Sequence, residues 1–314
     1  MIQTTDMIVM GAGPAGLTAG LYGARAGLKT IVLDTKTPGG QILLTEQIFN
    51  YPGFPDGITG LELAGLFQRQ AERYGCRISS RAGSARLTCG QGAHQVSTAK
   101  EHYESRVVIV ATGAMPRRLN APGEKKFSGA GISYCAVCDG NFFEGMNVVV
   151  VGGGDSALVE AAYLSRICRR VFIVHRRETF RGSEACQCLV RGCGNVSTCM
   201  GAIVKEFQGD EVLESVRLAN ADGSKEWDLK VSGAFIYVGH TPNTGFLPEI
   251  IEKDEDGWII TDENMQSSVP GIFAAGDVRR KMGKQISTAV GDGALAALAA
   301  ERYLSMQACA LPGE

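Results

Sequence analysis

Apolar residues in this chain come in short unbroken runs separated by glycine and charge. Ile8-Val9-Met10, Thr30-Ile31-Val32-Leu33, Val148 to Val151 and Val171 to Val174 are too short for helices and rich enough in β-branched side chains to predict strands. Two further strands are predicted within 107–116 (VVIVATGAMP) and 271–278 (GIFAAGDV), each running into small residues and glycine. An alanine-rich helical stretch separates the first two runs, and a long alanine-rich helix is predicted from about Gln285 to Leu304. Strand, helix and strand in that order predict an α/β fold built from βαβ units.

The turns inside these units carry the chemistry. Gly11, Gly13 and Gly16 complete G-x-G-x-x-G directly after the first strand, with Pro14 and Ala15 inside the motif. The first glycine makes a tight turn, the second admits a pyrophosphate to the backbone, and the third lets helix and strand pack closely. Asp34 ends the second strand, 34 − 16 = 18 residues past Gly16, where a carboxylate can accept hydrogen bonds from ribose hydroxyls. A second copy follows Val148 to Val151: Gly152, Gly154 and Ala157 form G-x-G-x-x-A around Asp155 and Ser156. At the same offset, 175 − 157 = 18, His175 replaces the acid, and Arg176, Arg177 and Arg181 follow. A carboxylate there would repel a 2′-phosphate, whereas arginines chelate it through charge-assisted, bidentate hydrogen bonds. The first site therefore suits FAD or NAD and the second NADPH. Small residues at Ala111-Thr112-Gly113-Ala114 and at Gly276 would let a flavin's ribityl chain and phosphates lie against the backbone, with Asp277 placed to bond the ribityl chain. Because these two stretches flank the second glycine motif, one domain interrupted by another is expected.

Composition narrows the class. Hydrophobic content of 45% and charged content of 20% over 314 residues allow two ordinary domains with sizeable cores. A formal net charge of -2 gives no electrostatic case for nucleic acid or an anionic membrane as partner. No apolar run approaches the roughly 18 residues of a membrane span, and the first residues, Met1 to Asp6, lack a basic n-region. A soluble, cytoplasmic protein is expected.

Ten cysteines then need sorting. In a chain of this size without a signal peptide, most are expected to be reduced thiols acting as small hydrophobes. Cys135-x-x-Cys138 stands apart, because its spacing suits half a zinc site, a staple or a working thiol/disulfide pair. Structural zinc commonly takes two close ligand pairs. The other close pair, Cys186-x-Cys188, has the wrong spacing, and none of His94, His102, His175 and His240 pairs with a cysteine. A purely structural disulfide is not expected in cytosol. The redox reading also gives Asp139 a role, since a departing thiolate needs a proton and a partly buried carboxyl can shuttle it. The alternative for Asp139 is a turn-forming Asp-Gly dipeptide. Cys186, Cys188, Cys193 and Cys199 read as scattered thiols rather than as a redox or metal cluster.

With these segments in order, the chain resembles the low-molecular-weight thioredoxin reductases from end to end. The segments are GAGPAG (11–16), PGGQ (38–41), NYPGF (50–54), ATGA (111–114), CAVCDG (135–140), GGGDSA (152–157), HRRETFR (175–181), GHTPNT (239–244) and AAGDV (274–278). The resemblance implies a homodimeric flavoprotein with two Rossmann-like domains, the NADPH domain (115–243) inserted into an FAD domain formed by 1–114 and 244–314. It implies that electrons pass from NADPH to FAD, to the Cys135–Cys138 disulfide, and on to thioredoxin. Hinges near Ala114-Met115-Pro116 and Thr241-Pro242-Asn243 would let the inserted domain rotate between the half-reactions. Gly40, Gln41, Asn50, Gln285 and Ile286 join the implied FAD contacts. Three departures stand out: Lys284 where family members commonly carry arginine, Phe49 where a glutamate is often found, and the extra cysteines after Arg181.

Other functions fit less well. Ferredoxin or flavodoxin NADP reductases lack the cysteine pair, and a ferredoxin-driven flavin disulfide reductase is expected to lose the second glycine motif or its arginines. A peroxiredoxin reductase with an appended thioredoxin-like region needs an N-terminal extension, and the first strand here starts by Asp6. Reduction or oxidation of another disulfide substrate, or a non-enzymatic sensor of nucleotide ratio, are the alternatives; a sensor would not turn over NADPH.

Overall fold

The computed structural model describes residues 2–45, 47–80 and 85–310. Its contacts divide the chain into two compact units, Met1–Met115 with Thr241–Glu314, and Pro116–His240. The first unit is thus discontinuous in sequence and the second is continuous.

A five-stranded parallel sheet forms the centre of the first unit, in the order Ile272–Ala274, Val107–Val110, Met7–Met10, Thr30–Leu33, Arg77–Ser79. Every residue of the three middle strands is buried. Met7, Val9 and Val32 pack into one core and Ile8, Met10 and Ile31 into another, so both faces are covered. That is why the sequence shows continuous apolar runs where a half-exposed sheet would alternate. Helix Pro14–Arg25 links the strands Met7–Met10 and Thr30–Leu33, and helix Ile286–Ala310 packs beside it. Their approach is close enough that a Cβ on Gly293 would sit 2.2 Å from the Ala15 carbonyl oxygen. This last helix runs six residues past the expected end at Leu304. Leu304 is the last residue it contributes to the core cluster, and past it Ser305 donates to Glu301 at 2.8 Å and Gln307 to Tyr303 at 2.7 Å, one turn back along the helix.

The second unit repeats the plan. Its parallel sheet runs Ile132–Ser133, Gly233–Ile236, Asn147–Val151, Arg170–His175, Val196–Met200, and helix Asp155–Leu164 follows the central strand. In both sheets the strand that enters the glycine turn is central, flanked by the strand that leaves the following helix. Each unit adds an antiparallel element that the apolar runs did not reveal. In the first, Arg86–Cys89, His94–Ser97 and His102–Ser105 pair in succession, and Leu87, Val96 and Tyr103 are buried. In the second, Ala202–Gln208, Ser215–Asn220 and Glu226–Lys230 form a meander.

Candidate active site

The first glycine turn separates two kinds of glycine. Gly11 has φ +108°, and a Cβ there would lie 2.4 Å from the Ala111 carbonyl oxygen; at Gly16 it would lie 1.8 Å from the Gly11 carbonyl oxygen. Both are demanded by the fold itself. At Gly13 the nearest atom to an added Cβ is the Gly40 Cα at 4.0 Å, so the protein leaves this position open. Gly13 is the N-cap of helix Pro14–Arg25, with Pro14 starting the helix, so the open space faces backbone donors suited to phosphate.

Around this turn the expected residues converge within the first unit. Asp34 accepts from the amides of Ala12 at 2.6 Å and Lys36 at 2.8 Å, which fixes its carboxylate at the strand end. Gly40, at φ +64°, brings its loop against Gly13. Gln41 donates its side-chain amide to the Ala114 carbonyl, and Asn50 donates to the Gln285 side-chain oxygen at 3.3 Å, one residue before Ile286 starts the last helix. Thr112 and Asn243 exchange two hydrogen bonds of 2.8 Å beside Gly113. Beyond the end of strand Ile272–Ala274, Gly276 has φ +76° and Asp277 follows it in a single 3₁₀ turn. Asp277 Oδ1 is buried, faces the Lys281 ammonium at 3.5 Å, and finds no hydrogen-bond donor among the described residues. Burial pushes the Asp277 carboxyl up against the pull of Lys281 and Lys284. An open glycine at the phosphate end and an unsatisfied buried acceptor further along fit an elongated, polyhydroxylated dinucleotide such as FAD.

Sequence reasoning missed what braces Asp277. Asp292, on the last helix, accepts from the Gly276 amide at 3.0 Å, from Arg279 at 3.2 Å and from Lys281 at 3.0 Å, all with side chains no more than 14% exposed. Asp292 lies mid-helix in an alanine-rich stretch, and its acid character alone gave no signal. Lys284 lies with its ammonium 3.9 Å from the centre of the Trp258 ring, and burial lowers its pKa. The departure from arginine is therefore accommodated by a cation–π contact.

The second glycine turn shows the same division. A Cβ at Gly152 would lie 2.4 Å from the Tyr237 carbonyl oxygen, whereas at Gly154 nothing comes within 4 Å. Ala157, at the third motif position, is 1% exposed. Neither Gly154's φ of −93° nor its ψ of 178° resists a side chain. Gly154→Ala is accordingly expected to leave unfolding free energy within about 0.5 kcal/mol of the unaltered protein. The same change should weaken nucleotide binding at least about tenfold, because the methyl occupies ligand space. Paired measurements of thermal unfolding and nucleotide affinity check this, and an equal loss in both would contradict it.

His175, the last residue of strand Arg170–His175, is buried under this turn, where a Cβ on Gly153 would strike its ring at 2.4 Å. It stacks on Phe180, and burial, helped by Arg177, Arg176 and Arg181, holds the imidazole below its usual pKa. Arg176, Arg177 and Arg181 are exposed, and the Arg181 amide donates to the Gly153 carbonyl at 2.7 Å, folding the basic loop back over the turn. Asp155 opens the following helix and accepts from the Ser183 amide at 2.6 Å, with Ser156 exposed beside it. The basic cluster thus sits where a 2′-phosphate would lie and fits NADPH. A histidine kept neutral in the fold binds fewer protons than its unfolded counterpart. Stability is therefore fully present above the ordinary value of 6.5 and is lost as pH falls below it. Thermal midpoints taken from about pH 7.5 to about pH 5.5 should fall, and fall less in His175→Asn.

Cys135 and Cys138 are joined as a disulfide, with Cα atoms 5.3 Å apart, on the short helix Ala136–Asp139 and its N-cap. Asp139 accepts from the Ser133 hydroxyl at 2.5 Å, and the same hydroxyl accepts from the Cys135 amide at 3.0 Å. Burial raises the Asp139 carboxyl above its usual range and the Ser133 bond only partly opposes this. A carboxyl that holds its proton more tightly than usual beside a disulfide suits proton transfer to a departing sulfur. Ser133, two residues before the pair, carried no sequence signal. Cys186 and Cys188 lie on helix Glu184–Arg191 and Cys199 on strand Val196–Met200, and among the described residues no group of three His, Cys, Asp or Glu side chains could hold a metal.

Comparison with known proteins identifies the family. The pyridine nucleotide-disulphide oxidoreductase family matches residues 5–293. A thioredoxin reductase of Listeria innocua is 42% identical over 98% of this chain and 97% of its own length. That of Bacillus subtilis is 39% identical over 95% and 94%. The crystal structure of thioredoxin reductase from Streptococcus pyogenes superposes with a TM-score of 0.89 at 40% identity, covering 98% of this chain and 100% of that one. The chain belongs to the pyridine nucleotide-disulphide oxidoreductase family, as one of its two-domain flavoprotein oxidoreductases related to the thioredoxin reductases.

Proposed function

We infer that the chain works as an NADPH-dependent thioredoxin-disulfide reductase. One observation carries this: the Cys135–Cys138 disulfide and its buried acid lie in the unit that also bears the second glycine turn and the arginine loop. FAD, when bound, supplies the two-electron link between a nicotinamide hydride and a disulfide. Gly11, Gly13, Pro14, Ala15, Gly16 and Asp34 would hold its adenosine and pyrophosphate, and Gly40, Gln41, Asn50, Ala111, Thr112, Gly113, Gly276, Asp277, Gln285 and Ile286 the rest. Gly152, Gly154, Asp155, Ser156 and Ala157 would cradle the nicotinamide nucleotide's phosphates, with His175 supporting the turn and Arg176, Arg177 and Arg181 on the 2′-phosphate. Two electrons and one proton turn the disulfide into a thiol and a thiolate. Asp139 donates that proton to the departing sulfur. Cys138 takes electrons from the flavin side, and Cys135 exchanges with the protein disulfide.

Residues 1–114 and 244–314 form the FAD-binding domain in this reading and 115–243 the NADPH-binding domain, with hinges at the two crossings. The contact division falls at 115/116 and 240/241, one and three residues from those limits, which supports an inserted domain of this extent. The inserted domain would rotate so that disulfide and nicotinamide take turns at the flavin, a hinge motion of the microsecond-to-millisecond class. An engineered disulfide that locks either orientation should abolish multiple turnover; a locked protein cycling at the normal rate would remove rotation from the mechanism. The working form is a homodimer, which sedimentation analysis checks, and it acts in the cytoplasm, where thioredoxin and reduced thiols are found. Among the described residues no helix is long and apolar enough to cross a membrane. NADPH-dependent reduction of a panel of redoxins tests the whole reading. Turnover with other disulfides and none with thioredoxin would overturn it.

A further inference from the structure

The reaction takes up one proton from solvent per turnover. A hydride brings two electrons and one proton, whereas two thiols require two protons. Asp139 can deliver a proton but must be reloaded, and its carboxyl is half-buried and held by Ser133. Two further acidic groups, outside the mechanism so far, belong to elements that touch the cysteine helix. Tyr237 directly follows strand Gly233–Ile236, and its hydroxyl oxygen accepts from the Ala136 amide, between the two cysteines, at 2.6 Å. With that oxygen occupied as acceptor, the phenol's own hydrogen is left to donate. Glu160, on helix Asp155–Leu164, has its Oε2 buried with no hydrogen-bond partner among the described residues.

We propose that Tyr237 and Glu160 are positioning residues for the disulfide half-reaction, holding an exchangeable proton behind Asp139 and linking it to the backbone between Cys135 and Cys138. The charged groups that act on the Tyr237 hydroxyl are Glu160 from one helix and Asp139 from the cysteine helix. Burial, with those two carboxylates, pushes the phenol well above its usual range, and burial raises Glu160 and Asp139 as well. Helix Asp155–Leu164 packs against the cysteine helix Ala136–Asp139, and Tyr237 is bonded to that helix at Ala136, so three acids that burial makes weaker than usual lie on elements joined at one disulfide. In the balanced step, two electrons cleave the sulfur–sulfur bond, Asp139 protonates one sulfur, and the proton held by Glu160 and Tyr237 restores Asp139. Solvent then refills the cluster. A buried carboxyl oxygen without a partner among the described residues lowers stability, so its retention on the helix packed against the cysteine helix calls for a functional reason.

This inference rests on Asp139 being the acid, and the test separates the two. Tyr237→Phe, Glu160→Gln and Asp139→Asn are compared as purified holoprotein for kcat and KM with thioredoxin between about pH 6 and about pH 9. A second readout is iodoacetamide alkylation of the reduced cysteine pair against pH, which needs no flavin turnover. Tyr237→Phe and Glu160→Gln should each lower kcat about tenfold at the alkaline end and much less at the acid end, with KM unchanged. Glu160→Gln should also move the alkylation midpoint to lower pH, because no group there can then lose its proton and oppose the thiolate. Glu160→Asp should recover part of the lost rate, and if Glu160→Gln does not fold, Tyr237→Phe decides alone. If Asp139→Asn alters the profile while the other two superimpose on the unaltered protein, the inference fails and the Asp139 reading stands. If Asp139→Asn changes nothing, both fail. An equal loss at every pH with unchanged alkylation would mark a structural role and also overturn it.

Discussion

Cys135→Ser or Cys138→Ser should lower kcat for thioredoxin reduction by at least about 10⁴-fold, since each removes a group that takes part in bond exchange. The effect should be confined to one half of the reaction. Both sulfurs lie in the second unit on the short helix that Ser133, Asp139 and the Tyr237–Ala136 bond fix in place, away in sequence from every residue of the first glycine turn. Serine is nearly isosteric with cysteine, so the fold and the cofactor site should persist. NADPH should therefore still bleach the yellow absorbance of the purified variant at close to the normal rate. Stopped-flow absorbance with NADPH alone, followed by steady-state assay with thioredoxin, distinguishes the halves. Turnover surviving in either variant would move the electron path off this disulfide.

Replacing Arg176 and Arg177 together with alanine should erase most of the preference for NADPH over NADH. Each charge-assisted contact to a phosphate contributes about 1.5–3 kcal/mol before non-additivity, so the unaltered preference in kcat/KM should exceed about tenfold. In the proposed arrangement the guanidinium groups bind a phosphate remote from the reacting carbon, so the loss should fall on KM for NADPH. NADH kinetics should barely change. Both arginines are exposed on a loop beyond strand Arg170–His175, so stability should be unaffected. Equal kcat/KM for the two nucleotides in the unaltered protein would refute the assignment.

These residues differ in how far the sequence exposed them. The parallel strands were legible because residues such as Val107 to Val110 are buried on both faces and leave an uninterrupted apolar run. The antiparallel strands were not, since Arg86–Cys89 and Glu226–Lys230 leave every other residue exposed and shield those between wholly or in part, so they read as polar chain. Within the site, backbone-driven features such as Gly11, Gly16 and Gly152 have a spacing signature. Partners reached through space, such as Asp292 bracing Gly276 or Ser133 holding Asp139, have none. His175 lies between these cases. Its position was legible, yet its burial beneath Gly153 could be known only once the loop was folded back through Arg181.

The discontinuity of the first unit has a consequence during synthesis. Residues 116–240 are contiguous, so that unit can complete its sheet once Gly233–Ile236 has left the ribosome, before the later segment that finishes the first unit has emerged. The first unit has to wait. Its edge strand Ile272–Ala274, the acceptor Asp277 and the helix that packs Gly293 against Ala15 all come from the final segment. Until they arrive, the glycine turn at the start of the chain lacks the helix beside it and the far end of its ligand groove. In the proposed assignment the nicotinamide-binding half is thus built first although its sequence begins second, and the flavin can be captured only after Ile272–Ala274, Asp277 and helix Ile286–Ala310 have emerged.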